Sequence, residues 1–353
     1  MRTAPVTIER VEPRRAADGL FDDFAGAHNQ VRAEAMPEDP PVPTPALAAR
    51  CRAMPDDLRL HWWLVRDPDG TVVACSQAWT DLSENLHLLQ LDIEVLAGWR
   101  RQGLATRLLA EAVDFSRSEG RTRIIGSTEE RLPAGAAFCL RLGAERALDM
   151  HCNRLELGRV DRAMIRSWIA EAEISAADYE LVAIDGAAPD DLLAPVAELY
   201  AVMNDAPRGS LDFEDEHMTP EQLRQGTAMA TADGTELWLL LARHRPSGRL
   251  AGLTAVEWSP HAPQTVAQGD TGVRPEHRGR GLGKWLKAVM LERILTERPG
   301  AVDVRTWNAD SNQAMLAINL RLGFAPFVAT TNWQITVEQG AAWLAERGVG
   351  PGG

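Results

Sequence analysis

Apolar residues follow two spacings along this chain, and its two halves repeat these spacings in the same order. Each half opens with a helical pattern and an acidic, proline-rich loop. Two apolar runs joined by a glycine-containing turn then predict a β-hairpin, and a third strand leads into an amphipathic helix. A strand, a helix and a last strand close each half. We therefore predict one mixed order of strands and helices, present twice.

The predicted elements occupy matching positions in the two halves. The opening helices cover residues 20–35 and 192–204, and the loops after them cover 36–45 and 205–220. The hairpin strands cover 62–65 with 72–79 and 237–242 with 250–258, and the third strands cover 88–95 and 266–273. The later strands cover 123–126 and 302–306, the later helices 135–142 and 311–322, and the last strands 154–157 and 332–337.

Individual residues also repeat at a nearly constant distance. Gly103 recurs 178 residues later as Gly281. Such an internal repeat indicates a structural unit present in two copies. The other matching pairs are Gly70 with Gly248, Arg141-Leu142-Gly143 with Arg321-Leu322-Gly323, and Thr44-Pro45 with Thr219-Pro220.

The length of 353 residues agrees with two domains, because one domain commonly takes about 100–200 residues. We predict an N-terminal domain over residues 1–159, a linker helix and strand over 160–188, and a C-terminal domain over 189–347. The glycine-rich tail, residues 348–353, is expected to be disordered.

The charge balance is acidic, with 37 Lys and Arg against 50 Asp and Glu, a net charge of -13. This balance disfavours nucleic acid and anionic membranes as partners and favours a cationic substrate. No apolar run reaches the roughly 18 residues of a membrane span, and residues 1–15 lack the apolar core of a signal peptide. We expect a cytoplasmic protein. The four cysteines lack metal-ligand spacing, so no metal site is predicted.

A six-residue loop rich in arginine and glycine joins a predicted strand to a helix in both halves. This Arg/Gly loop reads Arg-Gly-Arg-Gly-Leu-Gly from Arg278 and Arg-Arg-Gln-Gly-Leu-Ala from Arg100. Small residues let successive backbone N–H groups face one point, to which the helix N-terminus adds its partial positive charge. Arg280 and Lys284 add further charge, whereas Lys287 is interpreted as a solvated helix residue. The loop therefore predicts an anion site that has neither Rossmann nor Walker spacing.

This pattern resembles the GNAT acetyltransferase superfamily, whose signature Gln/Arg-x-x-Gly-x-Gly/Ala binds the pyrophosphate of acetyl-CoA. The resemblance covers nearly the whole chain, from about Ile8 to Thr336, and the tandem layout is similar to that of mycothiol synthase. It implies an α/β (α+β) fold of two tandem GNAT-like domains. Each would be a mixed, mostly antiparallel twisted sheet flanked by helices.

The resemblance also implies acetyl-CoA as cosubstrate, with no metal, and a set of residues that contact it. Backbone N–H groups near Val273 would polarise the thioester carbonyl. In the C-terminal copy the implied cofactor residues are Val273, Arg278, Gly279, Arg280, Gly281, Leu282, Gly283, Lys284, Asn308 and Asn312. In the N-terminal copy they are Val95, Arg100, Arg101, Gly103 and Ala105.

The usual acid of the family, a Tyr four residues before the Gly of Leu-Gly-Phe, is absent from both copies. Asn319 and Cys139 stand at this position, and Asn319 is predicted to hydrogen-bond the substrate or the pantetheine arm. Asp270, whose counterpart in the repeat is Asp92, and Glu257 are the candidates for the base or the substrate anchor. His277 is expected at the surface.

Two helix starts distinguish the copies. Asp310 or Ser311 is expected to cap the helix that follows the strand 302–306. Pro133 and Gly135 are expected to weaken the matching helix of the N-terminal copy. We therefore expect a catalytic C-terminal copy and an N-terminal copy that is a scaffold or a degenerate site.

The function favoured by the sequence is an acetyl-CoA-dependent N-acetyltransferase that acts on an amine of a small molecule or short peptide. The acidic stretch 212–216 favours a cationic acceptor. One alternative is acetylation of a cysteinyl amine, as in mycothiol synthesis. The other is a binding module that holds acyl-CoA without turnover, which the missing Tyr keeps open.

Overall fold

The computed structural model describes residues 6–350, which form two compact units. The first unit contains the chain up to Asp149, the segment Arg208–Glu214 and the chain from Thr330 onward. The second unit contains Met150–Pro207 and Asp215–Ala329. Each unit holds one Arg/Gly loop, so the units correspond to the two copies of the repeat except in a few exchanged segments.

Strands and helices alternate as the repeat predicts. The strands are β1 (Thr7–Val11), β2 (Leu58–Arg66), β3 (Val72–Asp81), β4 (Leu88–Val95), β5 (Arg123–Glu129), β6 (Glu145–Glu156), β7 (Tyr179–Asp185), β8 (Glu236–His244), β9 (Leu250–Trp258), β10 (Thr265–Val273), β11 (Asp303–Ala309) and β12 (Ala325–Thr336). The helices are α1 (Asp18–Ala35), α2 (Thr44–Arg52), α3 (Leu104–Ser118), α4 (Pro133–Leu142), α5 (Arg162–Ser175), α6 (Asp190–Tyr200), α7 (Pro220–Thr231), α8 (Leu282–Glu297), α9 (Gln313–Leu322) and α10 (Val337–Ala345).

Each unit contains a six-stranded mixed sheet. In the first unit the strands pair in the order β1-β2-β3-β4-β5-β12, and only β4 and β5 are parallel. In the second unit the order is β6-β11-β10-β9-β8-β7, and only β10 and β11 are parallel. The predicted α/β class with mostly antiparallel sheets is confirmed.

The last strand of each half of the sequence completes the sheet of the other unit. Met150 to Glu156 of β6 pair with β11, and Thr330 to Thr336 of β12 pair with β5. The predicted domain boundary at residue 159 therefore does not coincide with the division into units. Backbone hydrogen bonds pair neighbouring strands, and every residue type except proline can form them. The choice of neighbouring strand therefore leaves no signal in the pattern of side chains.

The segment 160–188 is not a detached linker. It forms α5, which packs against α8, and β7, which pairs with β8. Ile165, Trp168 and Tyr179 from this segment are buried in the core of the second unit. In the predicted disordered tail, Val349 packs against the core of the first unit, whereas residues 351–353 lie outside the described part of the chain.

Several elements are longer or more numerous than the sequence pattern predicts. The helices α2, α7 and α10 were not predicted, and the last strands β6 and β12 each have 12 residues. Thr219 caps α7 in a capping box with Gln222, and Pro220 occupies the first turn. The repeated Thr-Pro pair thus marks a helix start, where proline is well tolerated, and not the end of a loop.

Pro133 also opens a helix and does not weaken it. It occupies the first turn of α4, which has 10 residues, as does its counterpart α9. A proline at this position loses no intrahelical hydrogen bond, because the first N–H groups of a helix have no acceptor. The prediction that Pro133 weakens this helix is wrong, whereas the prediction for Gly135, inside α4, stays a prediction.

Candidate acyl-transfer site

The Arg/Gly loop of the second unit exposes a row of unpaired backbone donors. Gly279 and Gly281 have φ of 77° and 79°, a left-handed conformation that glycine adopts without strain. Among the described residues, none of the six N–H groups from Gly279 to Lys284 has an acceptor, and the first such bond of α8 joins Trp285 N–H to Gly281. These donors and the N-terminus of α8 form the anion site that the sequence predicts.

The charged side chains of this loop differ in their availability. Arg278 donates from Nε to the carbonyl of Val273 (2.9 Å) and forms an ion pair with Asp205, so it braces the loop against the end of β10. Lys284 forms an ion pair with Glu171 of α5 at 2.6 Å. Arg280 makes no ion pair or hydrogen bond with any described residue and is the most available cation of the loop.

A cavity of about 430 Å³ lies between this loop and the end of α5. Its lining includes Gly279, Arg280, Lys284 and Ser175. A Cβ placed on Gly281 would lie 3.9 Å from Ser175 Oγ, so a large side chain there would enter this space. The segment predicted to be a linker therefore forms one wall of the anion site, which sequence analysis missed.

The strands that lead to the loop separate from each other. β10 and β11 pair only from Thr265 to Ala267. Further along β10, Gly269 and Asp270 together lie opposite Ala255, because the register with β9 shifts between Gln268 and Thr271. Such a bulge leaves one residue out of the ladder and turns its side chain away from the regular alternation. The two strands are unpaired beyond Ala267, and the gap between them next to the loop is called the cleft here. β4 and β5 of the first unit likewise pair only from Leu88 to Gln90.

Three ionisable side chains lie close together on the strands and helix beside this cleft. Asp270 is exposed to solvent, yet the surrounding protein desolvates its carboxyl group and raises its pKa. Burial also raises the pKa of Tyr200, and the nearby charges of Asp270 and Glu257 raise it further. Tyr200 was not predicted, because it precedes the loop by about 80 residues and no spacing connects the two.

The chain that follows Tyr200 lies directly on β10. A Cβ on Gly272 would collide with the side chain of Val202, so only glycine permits this approach. The end of α6 is thereby held against the strand that carries Asp270. This contact brings Tyr200 to the carboxylates.

The predicted asparagines have different roles. Asn319 donates from Nδ2 to Asn308 Oδ1 (2.8 Å), and Asn319 is only 1% exposed. Among the described residues its buried Oδ1 has no hydrogen-bond partner, which is costly unless a ligand supplies a donor. Asn312 caps α9 by accepting from Met315 N–H, so the prediction of Asp310 or Ser311 as cap is wrong. Asp310 instead contacts His151.

Two residues near the loop are buried although the sequence suggested exposure. His277 is 9% exposed, and its Nδ1 shares a hydrogen bond of 2.7 Å with the hydroxyl of Tyr179. Lys287 is 2% exposed, has no ion pair or hydrogen bond among the described residues, and lies 5.6 Å from the ring centre of Phe324. Burial lowers the pKa of Lys287 to about 7. Its counterpart in the repeat is the core residue Leu109.

The Arg/Gly loop of the first unit has the same backbone form. Gly103 has φ of 86°, and Arg101 has φ of 67° where the second unit has Gly279. The six N–H groups from Arg101 to Thr106 also have no acceptor among the described residues. Arg100 donates to the carbonyl of Val95 (3.0 Å) and pairs with Glu34, as Arg278 does with Val273 and Asp205.

The cleft of the first unit differs from that of the second. β4 pairs with β3 in regular register, and Asp92 accepts a hydrogen bond from Gln77 at 3.2 Å. Glu94 occupies the position of Gly272 and is hydrogen-bonded to His28 at 2.9 Å. Gly126 on β5 comes so close to β4 that a Cβ there would lie 2.7 Å from the Leu91 carbonyl.

The acidic stretch 212–216 is partly neutralised within the protein. Asp212 forms an ion pair with Arg123 at 2.6 Å, and Glu214 N–H is bonded to Asn85. Asp212 therefore serves to attach this segment to the first unit, which removes part of the sequence argument for a cationic acceptor.

Comparison with known proteins places this geometry in a family. The model of the Acetyltransferase (GNAT) family matches residues 28–144 and 197–324, one match in each half of the chain. The chain belongs to the GNAT acetyltransferase family. Both matches include an Arg/Gly loop with its row of free N–H groups, so each half carries an acetyltransferase domain.

Two known proteins are similar to this chain over different lengths. A mycothiol acetyltransferase of Salinispora arenicola (strain CNS-205) is 36% identical over 121 residues, which are 33% of this chain and 39% of that protein. The matched part thus spans well under half of that relative. A tandem GNAT protein from the clavulanic acid biosynthesis pathway, solved without acetyl-CoA, is 26% identical with a TM-score of 0.76, over 94% of this chain and 99% of that chain.

A more distant structure shows the same fold. The GCN5-related N-acetyltransferase from Sphaerobacter thermophilus is 14% identical with a TM-score of 0.63, over 95% of this chain and 97% of that chain.

Within residues 6–350, no group of three or more His, Cys, Asp or Glu side chains is arranged to hold a metal ion. No helix in that range combines the length and apolar character needed to cross a bilayer.

Proposed function

We propose that the protein is an acetyl-CoA-dependent N-acetyltransferase whose chemistry takes place in the second unit, on an amine of a small molecule or short peptide. The observation that carries this proposal is the row of six free N–H groups beside a bulged strand whose Asp270 has a raised pKa. The first unit has an equal row of free N–H groups, and burial also raises the pKa of its Asp92. The bulge is therefore the feature that distinguishes the second unit within the described chain. The first unit would then serve as scaffold or as a degenerate site.

The residues of the second unit fit acetyl-CoA. Gly279, Arg280, Gly281, Leu282, Gly283 and Lys284 would hold the pyrophosphate through their N–H groups, with Arg280 and Lys284 adding charge. Arg278 and Val273 would set the loop at the end of β10. When bound, acetyl-CoA supplies an acetyl thioester as the reactive group.

Asp270 is the residue that we assign as base. A raised pKa brings a carboxylate closer to the proton affinity that abstraction from an ammonium group requires near neutral pH. Glu257 would anchor the acceptor beside it. Tyr200 stays protonated because its pKa is raised, so it would donate or accept a hydrogen bond and not act as a base.

Asn308 and Asn319 would orient the groups on the other side of the cleft. The unpaired Oδ1 of Asn319 is ready to accept a hydrogen bond, and the amide of Asn308 has donor capacity left. An amide cannot transfer a proton at neutral pH, so Asn319 would position groups and solvent water would protonate the departing thiolate, a good leaving group. Asn312, whose Oδ1 caps α9, would contact the cofactor only through its remaining N–H donors.

Two alternatives differ in the acceptor and in turnover. Similarity to mycothiol acetyltransferase over part of the chain favours a cysteinyl amine as acceptor. A binding module without turnover follows from the missing Tyr. The two carboxylates beside Tyr200 favour an enzyme with a cationic amine, because both would attract an ammonium group.

The test is release of free thiol from acetyl-CoA across a panel of amines, with calorimetric titration of acetyl-CoA in parallel. We expect thiol release with at least one cationic amine. A cysteinyl sugar amine as sole acceptor supports the mycothiol-like alternative. Binding of acetyl-CoA without thiol release for any amine in the panel contradicts the proposed enzyme and supports the binding module.

A further inference from the structure

A second cavity, of about 660 Å³, opens in the first unit far from its Arg/Gly loop. It is lined by the end of β1, the start of β2 and the residue after β3. β3 and β4 are antiparallel, so the end of β3 lies beside the beginning of β4, whereas the Arg/Gly loop follows the end of β4. A volume of several hundred Å³ suits a small organic ligand.

His61 is the unusual residue in the lining of this cavity. It is 8% exposed, and among the described residues its buried Nε2 has no hydrogen-bond partner. Its ring lies 4.6 Å from that of Phe115. A buried ring nitrogen without a partner destabilises the fold, because its lost hydrogen bonds to water are not replaced. Nε2 is shielded from the cavity, so a ligand would meet the part of the ring that lines it.

The second unit shows what the same position contains when no cavity is present. His61 pairs with Ala78, and the matching pair of the second unit is Trp238 with Val256. Trp238 is 3% exposed, and the guanidinium of Arg293 lies 4.1 Å from its ring centre. Arg293 is in turn bound by both oxygens of Asp185. In the second unit the large indole of Trp238 thus occupies the position at which the first unit has the smaller ring of His61.

Three guanidinium groups line the cavity against two carboxylates, so the lining residues have an excess of one positive charge. Arg14 is neutralised by Asp56 at 2.7 Å, and Arg59 reaches Glu119 only at 3.7 Å. Arg15 makes no ion pair with any described residue. Glu12 is the remaining carboxylate of the lining. In a chain with a net charge of -13, this local excess of positive charge favours an anionic ligand.

Burial is the main cause that lowers the pKa of His61 to about 4. The nearby charges act in both directions, because Arg10 and Arg59 lower this pKa whereas Glu12 and Glu119 raise it. The ring is therefore neutral near pH 7, with one N–H donor and one acceptor. The apolar part of the lining comes from Met54, Leu58, Leu60 and Leu82.

We propose that this cavity binds a small organic carboxylate. Arg15 and Arg59 hold the carboxylate group, the imidazole of His61 adds a hydrogen bond, and the apolar body of the ligand packs on the leucines and Met54. The site is separate from the acyl-transfer site and does not depend on the function proposed for it.

The test follows the ring signals of His61 in the full-length protein by NMR, with three probes. Benzoate has an anionic group and an apolar body, inorganic phosphate has only the anion, and benzylamine has the body with the opposite charge. We expect a saturable shift with benzoate, at a Kd of about 1 mM or below, and no saturation with benzylamine. Weaker binding of phosphate than of benzoate is expected from the apolar lining.

Two variants test the assignment of the contacts by calorimetry with benzoate. Arg15→Gln changes an exposed side chain and should weaken binding about 10-fold. His61→Trp introduces the residue of the second unit and should abolish binding by filling the cavity. The exposed Arg162→Gln, in α5, is the matched control and should bind as the natural protein does. Equal binding of benzoate and benzylamine, phosphate binding as tightly as benzoate, or unchanged affinity in Arg15→Gln overturns the proposal.

Discussion

The Arg/Gly loops of the two units follow the same backbone path, whereas the strands that lead into them differ. Both loops have positive φ at two matching positions, six free N–H groups and an arginine that returns to the end of the preceding strand. β10 has nine residues and a bulge at Gly269 and Asp270, but β4 has eight residues and regular pairing. The two clefts lie beside loops of the same backbone form, and they differ by one additional residue in the strand that leads to the loop.

This difference has a chemical consequence. In the second unit the bulge removes Asp270 from the ladder and leaves it near Tyr200 and Glu257. In the first unit the matching Asp92 is hydrogen-bonded to Gln77, and the next position along the cleft contains the His28–Glu94 pair. A loop that binds an anion can therefore be retained while the reactive end of the same cleft is changed.

The largest effect is expected from closing one loop at a time. Gly281→Trp adds a side chain at a positive φ and directs it toward Ser175, so it should remove detectable thiol release. Gly103→Trp, the matched variant in the first unit, should leave thiol release within about 10-fold of the natural protein, because only the structure of the scaffold is affected. Calorimetry with acetyl-CoA checks which loop has lost binding. Thiol release that persists in Gly281→Trp and disappears in Gly103→Trp would reverse the assignment of the catalytic unit.

Removing the carboxylate of the bulge should be the next largest change. Asp270→Asn should lower kcat by about 100-fold, because the amide cannot accept the proton of the amine. Only ionised Asp270 acts as base, so activity of the natural protein should rise with pH through its raised pKa, above the ordinary range of Asp. The variant should lack this acidic limb of the pH profile. Asp92→Asn is the matched control, and an equal loss of kcat there would speak against the role of Asp270.

The buried lysine offers a test of stability in place of activity. Lys287→Leu introduces the residue of the first unit and should raise the free energy of unfolding by about 2 kcal/mol near pH 7. The pKa of Lys287 is about 7 in the folded protein, against the ordinary lysine value of 10.5 that applies in the unfolded chain. Between these values the unfolded chain binds more protons, so the stability of the natural protein should rise as the pH rises from about 7 to 10.5. Below pH 7 the lysine is charged in both states, so its contribution levels off there.

Urea unfolding at about pH 6 and about pH 9 checks this expectation. The gain from Lys287→Leu should be larger at the lower pH, because the natural protein then contains a buried charge without a partner. The converse variant Leu109→Lys should destabilise the first unit by about 2 kcal/mol or more. An equal gain for Lys287→Leu at both pH values would show that Lys287 is not desolvated.

The smallest effect concerns backbone strain in the Arg/Gly loop of the first unit. Arg101 has φ of 67°, which costs an ordinary residue about 1 kcal/mol, whereas its counterpart Gly279 has no such cost. Arg101→Gly should stabilise the protein by about 0.5 kcal/mol, since the greater freedom of glycine in the unfolded chain offsets part of the gain. The converse variant Gly279→Arg should lose stability by a similar amount. A loss of stability in Arg101→Gly would show that the arginine side chain contributes more than its backbone costs.

Local patterns predicted much of each unit. The hairpin strands, β4 and α3 follow from the alternation of apolar residues and from the spacing of Leu104, Leu108 and Leu109, because each buries one face. The anion site followed from two glycines at a strand-to-helix junction, a feature that is local in the chain. The predicted caps of α9 and the exposure of His277 and Lys287 were wrong, because neighbours distant in sequence decide them.

The duplication, the α/β class and the positions of both Arg/Gly loops can all be predicted from residue order alone, since they depend on hydrophobic spacing and on glycines at strand-to-helix junctions. Three further features emerge only when distant segments fold together. The last strand of each half completes the other unit's sheet, α5 forms a wall of the anion site, and Tyr200 lies near enough to Asp270 and Glu257 for their charges to raise its pKa. The physical reason is that strand pairing uses backbone hydrogen bonds and that pockets form from residues far apart in the chain. Neither leaves a regular spacing along the sequence.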